Sequence, residues 1–288
     1  MKIAILGSGY IGAALIDLYL KTKHEITVFD AVVPFHLLVG REFKFVHSPI
    51  QNYKDWNLEK FDIVYNLIGL ASTKGTDEEL IDEINHKCAV EVAKRSKRYL
   101  FASSCNVFGG MTELKYNLTE DDTIFPETPY AKSKALVEKW LEEKHDNYVI
   151  CRFGANYGYS PAMKYGPVGN IFILNSVTGK EINCGNPTLM KPFCHVRDTV
   201  RALFYLAHKN EIKNDTFHVV KHNYNLKDLA EIMFSHNRNL EIKYGEKKIP
   251  SGYHISNKKL KDAGFKFMYD FDKAYRELEV LFENVQNI

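Results

Sequence analysis

Tyr130 and Lys134 stand four residues apart in the run Thr128-Pro129-Tyr130-Ala131-Lys132-Ser133-Lys134. Thr128 suits a helix N-cap and Pro129 the first helical position, so both side chains fall on one face, a turn apart. A phenol titrates near pH ~10 and is a poor base at neutral pH, but a neighbouring cation favours the phenolate. A hydroxyl from another element would hold a substrate oxygen beside the phenol. Ser104, in Ser103-Ser104-Cys105-Asn106-Val107-Phe108-Gly109, is placed for this. Such a trio removes or returns a proton at an alcohol while hydride leaves its carbon. Tyrosine and lysine are common in this chain, so the spacing alone does not establish the chemistry.

The elements that must position this trio begin at the N-terminus. Residues 2–6 are an apolar run, as in a strand buried on both faces. Gly7-Ser8-Gly9-Tyr10-Ile11-Gly12 follows and opens a helix through Leu20. Glycines in this phase let the backbone turn, approach a pyrophosphate at the helix N-terminus, and pack helix on strand. The next strand, Ile26–Phe29, ends in Asp30, followed by Ala31 rather than an arginine. A carboxylate there accepts both ribose hydroxyls and repels a 2′-phosphate, which points to NAD over NADP.

The alternation continues. Strands are expected at Phe43–Val46, Ile63–Leu67, Tyr99–Ser103 and Tyr148–Phe153, with helices at Tyr53–Leu58, 77–95 and Pro129–Lys144. Strands alternating with helices imply a doubly wound parallel α/β sheet of Rossmann type. Its ligand lies at the carboxyl ends of the strands, where Gly7, Asp30, Gly69 and Ser104 all fall. Glycines and prolines then punctuate residues 154–169, followed by a helix at 168–178, another at Thr199–His208, a strand at Thr216–Val220, and helices near 226–235, 256–263 and 270–284. Residues 1–155 read as the dinucleotide-binding domain, with segments near 193–220 returning to it. Residues 156–288 read as a smaller mixed α/β substrate lobe closing over the cofactor.

Composition excludes other classes. A chain of 288 residues, 45% hydrophobic and with a net charge of +2, can bury a sizeable core and carries no basic field for nucleic acid or an anionic membrane. Its five cysteines, Cys88, Cys105, Cys151, Cys184 and Cys194, show no paired metal spacing. They read as reduced thiols, and with no signal peptide or membrane span expected, the reading is cytoplasmic. His195 reads as a packing residue rather than a metal ligand, Asp198 as a helix cap, and Cys105 as a small buried residue. Lys94, Arg95, Lys97 and Arg98 read as a solvated helix end.

These motifs, in this order, resemble the extended short-chain dehydrogenase/reductase family, especially its NAD-dependent nucleotide-sugar epimerases and dehydratases such as UDP-glucose 4-epimerase. The resemblance runs nearly end to end. It adds Asn66-Leu67-Ile68-Gly69-Leu70-Ala71, Asn85, Arg152 with Tyr157-Gly158, and Phe193-Cys194-His195-Val196-Arg197-Asp198. It implies Tyr130 as the acid/base, Lys134 as its tuner and ribose ligand, and Ser104 as the group orienting the reacting hydroxyl. It implies NAD held by Gly7, Gly9, Tyr10, Ile11, Gly12, Asp30, Leu67, Gly69 and Asn85, together with Tyr130 and Lys134. For the substrate it implies Asn106, Asn156, Asn170 and Lys191. It further implies a homodimer built on helices 77–95 and 129–144.

Departures narrow the chemistry. Leu6 stands where the family's first fingerprint glycine is usual, Pro49 where an adenine-contacting acid is usual, and Ala155 where a substrate asparagine is usual. Dehydratases of this fold carry Asp-Glu after the serine or threonine, and this chain has Cys105-Asn106. Oxidation and reduction at a carbinol remain. The expected activity is therefore a nucleotide-sugar epimerase, with a reductase or dehydrogenase on a related sugar, or a non-catalytic NAD-binding regulator, as alternatives.

Overall fold

A computed structural model of the chain describes residues 1–33, 43–71, 77–111, 113–246 and 251–286. It opens with β1 (Lys2–Leu6), α1 (Tyr10–Tyr19), β2 (Glu25–Asp30), β3 (Lys44–His47) and β4 (Ile63–Asn66). Along β1, Ile3 and Ile5 join one apolar cluster while Ala4 and Leu6 join the other. That is the two-residue alternation of a strand covered on both faces. Each isoleucine or leucine among them contributes about 1.5–3 kcal/mol on leaving water. The segment expected as a single helix over 77–95 is α2 (Glu78–Asp82), a π-helical turn over Glu83–Lys87, and α3 (Cys88–Lys94). The segment expected as a helix at Tyr53–Leu58 is a 3₁₀ turn over Ile50–Asp55.

β5 (Tyr99–Ser104), β6 (Lys115–Leu118), α4 (Pro129–Lys144), β7 (Tyr148–Phe153) and β8 (Ala155–Tyr157) follow. Thr128 caps α4 by accepting from the Ala131 N–H at 3.1 Å, with Pro129 at the first helical position. Next come α5 (Val168–Val177), β9 (Ile182–Cys184), β10 (Leu189–His195), α6 (Val196–Ala207), β11 (Asp215–Val219) and β12 (His222–Asn225). The chain closes with α7 (Leu226–His236), β13 (Ile242–Tyr244), β14 (Ser251–Ile255), α8 (Lys258–Asp262) and α9 (Phe271–Gln286).

The main sheet has seven strands in the order β11-β7-β5-β4-β1-β2-β3, all parallel. Its order reverses between β1 and β4, and ligands of open α/β sheets sit outside the strand ends at such a reversal. Residues of α1 and α6 cover one face and residues of α3 and α4 the other. A second sheet, β12-β10-β14-β6 with β8 beside β10, and a small β13-β9 pair lie off this path. β6 and β8 through β10, with β12 through β14, were not expected as strands.

Two expectations are corrected here. Arg98 is buried, not solvated: its guanidinium donates to the Leu206, Ala207, Lys209 and Ile212 carbonyls at 2.8–3.0 Å. It thereby satisfies the open C-terminal carbonyls of α6. Arg95 likewise donates to the Tyr53, Lys54 and Trp56 carbonyls. Asp198 is not the cap of α6. His195, fully buried, accepts from the Arg197 N–H at 3.1 Å and takes that role. Asp198 instead accepts the N–H groups of Met268 and Tyr269, pinning the segment before α9. The five cysteines are free and buried. No helix among the described residues is long and apolar enough to cross a membrane.

Candidate active site

A cleft of about 430 Å³ opens over the carboxyl ends of β1, β2, β4 and β5. Gly7, Gly9, Tyr10, Ile11 and Gly12 line one end, Asp30, Ala31, Ser48 and Ile50 another, and Gly69, Tyr130 and Lys134 the third. Leu67 and Asn156 line it as well.

The glycine loop has the shape a dinucleotide phosphate needs. Gly7 adopts φ +93°, a left-handed conformation that spares the turn any Cβ strain. Leu6 therefore does not need to be glycine, and its side chain points into the apolar cluster instead. A Cβ on Gly12 would lie 2.0 Å from the Gly7 carbonyl oxygen, so helix and loop are in contact there. A Cβ on Gly9 would meet nothing within 4 Å, so open space stands over it. Gly9 caps α1 without any side-chain hydrogen bond. The first N–H groups of α1 are thus available to an anion.

At the ribose end, Asp30 Oδ2 accepts from the Ser8 N–H at 2.5 Å and the Ser8 hydroxyl at 2.7 Å, and Oδ1 accepts from the Val32 N–H at 3.0 Å. Ser8 was not singled out from the sequence, yet it orients the carboxylate. A 2′-phosphate on the adenosine ribose would meet that fixed negative charge. NAD is therefore expected to bind far more tightly than NADP, and Asp30→Ala with Ala31→Arg to narrow the gap. Equal affinities of the parent for the two by calorimetric titration would contradict this. Pro49, the residue standing in for an acid, caps the 3₁₀ turn, and Ser48 and Ile50 on either side of it face the cleft.

At the third end, the Ser104 hydroxyl lies close enough to the Tyr130 phenol to act on its titration. Ser104 ends β5 and also accepts from the Asn106 N–H at 3.2 Å. The Lys134 ammonium lies 5.7 Å from the centre of the Tyr130 ring and 4.8 Å from that of Phe101. Burial pushes the Tyr130 phenol above its ordinary range, and the Ser104 hydroxyl beside it pulls the other way. The phenol thus stands above its ordinary range where a lowered value was expected, burial being the largest influence on it. Lys134 is itself buried, which lowers its pKa to about 8 against the opposing charge of Glu138.

That depression has a sign. A lysine whose folded pKa lies below its ordinary value makes folding expel a proton, so stability rises with pH between the two values. Lys134→Met removes the penalty. The variant is expected to melt above the parent at pH 7, with the advantage shrinking as pH rises from about 8 toward ~10.4. A pH-independent difference in melting temperature would contradict it.

Several expected ligands sit elsewhere. Asn85 is 1% exposed, and its amide is spent on the Leu70 backbone, accepting from N at 2.7 Å and donating to O at 2.9 Å. It braces the loop after β4 rather than facing the cleft. Asn170 is fully buried. It accepts from the Gly158 N–H and donates to the Lys164 carbonyl and the Tyr10 hydroxyl. Tyr10 in turn donates to the Gly158 carbonyl at 2.5 Å. Asn170 thus clasps the 158–164 loop to α1 and has no free group for substrate. Lys191 lies on β10, where burial lowers its pKa, and does not line the cleft. Asn106 is exposed beside Ser104 and accepts from the Tyr253 hydroxyl at 2.8 Å. Asn156 reaches the cleft, held by Thr199 at 2.6 Å. Cys105 is buried, with Sγ donating to the Arg152 carbonyl, and its thiol is pushed up by burial.

A family model described as the NAD dependent epimerase/dehydratase family matches residues 3–225. No curated protein matches the chain. Many solved structures share its fold, among them the following three. UDP-glucuronic acid 4-epimerase from Bacillus cereus, in complex with UDP-glucuronic acid and NAD, superposes with a TM-score of 0.82 at 17% identity, covering 99% of this chain and 100% of that one. UDP-glucose 4-epimerase from Thermotoga maritima, with UDP-glucose, gives 0.82 at 18% identity over 99% and 100%. dTDP-glucose 4,6-dehydratase from Bacillus anthracis, in complex with NAD, gives 0.79 at 19% identity over 99% and 97%.

Proposed function

The chain belongs to the NAD dependent epimerase/dehydratase family, an enzyme family that uses NAD, and on that premise we propose that it is a nucleotide-sugar epimerase acting on a UDP- or dTDP-hexose. The observation that carries this reading is what surrounds the Tyr130 phenol. The Ser104 hydroxyl lies beside it. The next two residues are a buried thiol and an amide. Neither is the carboxylate that elimination of water requires, so proton transfer at a carbinol is what the site can do.

When bound, NAD supplies a reversible hydride acceptor. The glycine loop and the open N-terminus of α1 would hold its pyrophosphate, and Asp30 its ribose. The chain's own residues then manage one proton. Ser104 Oγ positions the sugar hydroxyl against Tyr130 Oη, which takes the proton as the carbinol becomes a ketone and returns it on reduction. Lys134, buried one turn below, holds a positive charge near the phenolate as it forms. Rotation of the ketone in the cleft before reduction gives the other epimer.

Purified protein incubated with UDP- and dTDP-hexoses tests this by chromatography and NMR of the products. A C4 epimer without net NADH is expected. Stoichiometric NADH with an oxidised sugar would establish a dehydrogenase instead. No product from any nucleotide-sugar would favour the non-catalytic reading.

Assembly follows from the helices flanking the sheet. Leu80 on α2 and Leu136 on α4 are 39% and 47% exposed. Pairing these helices with a second copy would cover them, giving an isologous homodimer. A dimeric mass by light scattering at micromolar concentration is expected, and a monomeric one would count against it.

A further inference from the structure

We infer that Glu138 is a positioning residue for the acid–base pair: its carboxylate ties the helix bearing Tyr130 and Lys134 to the strand bearing Ser104 and supplies the counter-charge for the buried Lys134 ammonium. The inference rests on the reading of Tyr130 and Lys134 given above.

Tyr130, Lys134 and Glu138 recur every four residues along α4 and so share one face. Lys134 and Glu138 are each 2% exposed. Both oxygens of the Glu138 carboxylate are engaged. Arg152 Nε donates to them at 3.1 and 3.2 Å, Arg152 Nη2 donates at 2.8 Å, and the Ser103 hydroxyl donates as well. Ser103 adjoins Ser104 and lies opposite Arg152 in the β5–β7 register. Arg152 Nη1 is fixed in turn by the Glu120 carbonyl at 3.1 Å. Tyr130 and Ser104 reach each other from different elements, α4 and β5. Glu138 bolts those same two elements together, so the spacing of the reacting groups is set by an anchor outside the pair itself.

The electrostatics run the same way. Among the described residues, the charge that acts on the Lys134 ammonium is Glu138, one turn along the same helix, and the Tyr130 ring centre lies 5.7 Å away. Phe101 on β5 and Gly69 in the loop after β4 lie beside the ammonium and carry no charge. Burial depresses the ammonium, and Glu138 opposes that depression. Without the carboxylate the Lys134 ammonium and the Arg152 guanidinium would each be left buried without an anion, a costly arrangement.

A purely structural ion pair would make a different prediction, and two variants separate them. Glu138→Gln leaves Arg152 unpaired. Glu138→Gln with Arg152→Met removes both charges, a replacement that cores commonly tolerate. The readouts are thermal melting and the titration of Lys134, followed by ¹³C NMR of lysine-labelled protein with the resonance assigned through Lys134→Met. Glu138→Gln is expected to lower the melting temperature and to move the Lys134 midpoint down by about one pH unit, as loss of a nearby opposite charge does. The double variant is expected to recover melting temperature while its midpoint stays low. Glu138→Asp, which keeps the charge, is expected to bring the midpoint back toward the parent value. A parental midpoint in the double variant would overturn the inference and leave the pair a stabilising one only. Because the titration needs no turnover, it decides this question even if no nucleotide-sugar proves to be a substrate.

Discussion

Tyr130→Phe is expected to cut turnover about 10²–10⁴-fold, the usual contribution of one general base, while leaving the fold and NAD affinity near parental. The phenyl ring keeps its place beside the Lys134 ammonium, and only the Oη that takes the carbinol proton is lost. Parental turnover should climb with pH through neutrality, because burial holds the phenol above its ordinary range and the phenolate fraction grows with pH. The residual activity of Tyr130→Phe should lack that dependence. Ser104→Ala should be milder, since it removes one hydrogen bond to the sugar hydroxyl rather than the base itself. Stopped assays over pH 6–9 check all three. Parental turnover by Tyr130→Phe would remove the phenol from the mechanism.

Gly12→Ala and Gly9→Ala are expected to part company. Helix propensity alone favours alanine over glycine by about 1 kcal/mol inside a helix. At Gly12 the new methyl would lie 2.0 Å from the Gly7 carbonyl oxygen and 2.9 Å from its carbon. Overpacking of that kind costs about 1–3 kcal/mol, so the clash outweighs the propensity gain. α1 must back away from the loop, lowering both melting temperature and NAD affinity. At Gly9 the methyl meets no protein atom within 4 Å, so the melting temperature should hold. The methyl would instead occupy space beside the helix N-terminus where a pyrophosphate must approach, and NAD affinity should fall alone. Melting curves with and without NAD, paired with calorimetric titration, separate the cases. Equal behaviour of the two variants would mean the loop does not work as described.

The main sheet was legible because its strands are apolar on both faces and its helices carry their own boundaries. Thr128 and Pro129 mark the start of α4, and Gly7, Gly9 and Gly12 mark the turn into α1 in the phase that packing demands. The second sheet was not legible. β6 has one buried residue in four, β12 reads His-Asn-Tyr-Asn and is half-buried throughout, and β10 carries Pro192 in mid-strand. Such strands show neither an apolar run nor clean alternation. The reacting groups followed from motif spacing, since Tyr130 and Lys134 lie within one helix. The asparagines did not, because an amide looks alike in sequence whether it faces a ligand or a backbone. Asn85 and Asn170 spend theirs on Leu70 and on the Gly158 loop. Ser8 and Glu138 escaped notice for the opposite reason. Each supports a recognised residue from beside it, and only their hydrogen bonds to Asp30, Ser103 and Arg152 reveal the role.

The central claim is that a carbinol carbon is oxidised and then reduced from its other face within one cleft. Its most direct test is a UDP-hexose deuterated at C4, turned over in ordinary water and recovered as the epimer. Retention of the deuterium at C4 of the product, with no net NADH and with loss of product in Tyr130→Phe, is the expected result. An epimer in which C4 has exchanged its deuterium for solvent hydrogen, or a deuterated nicotinamide accumulating beside an oxidised sugar, would contradict it.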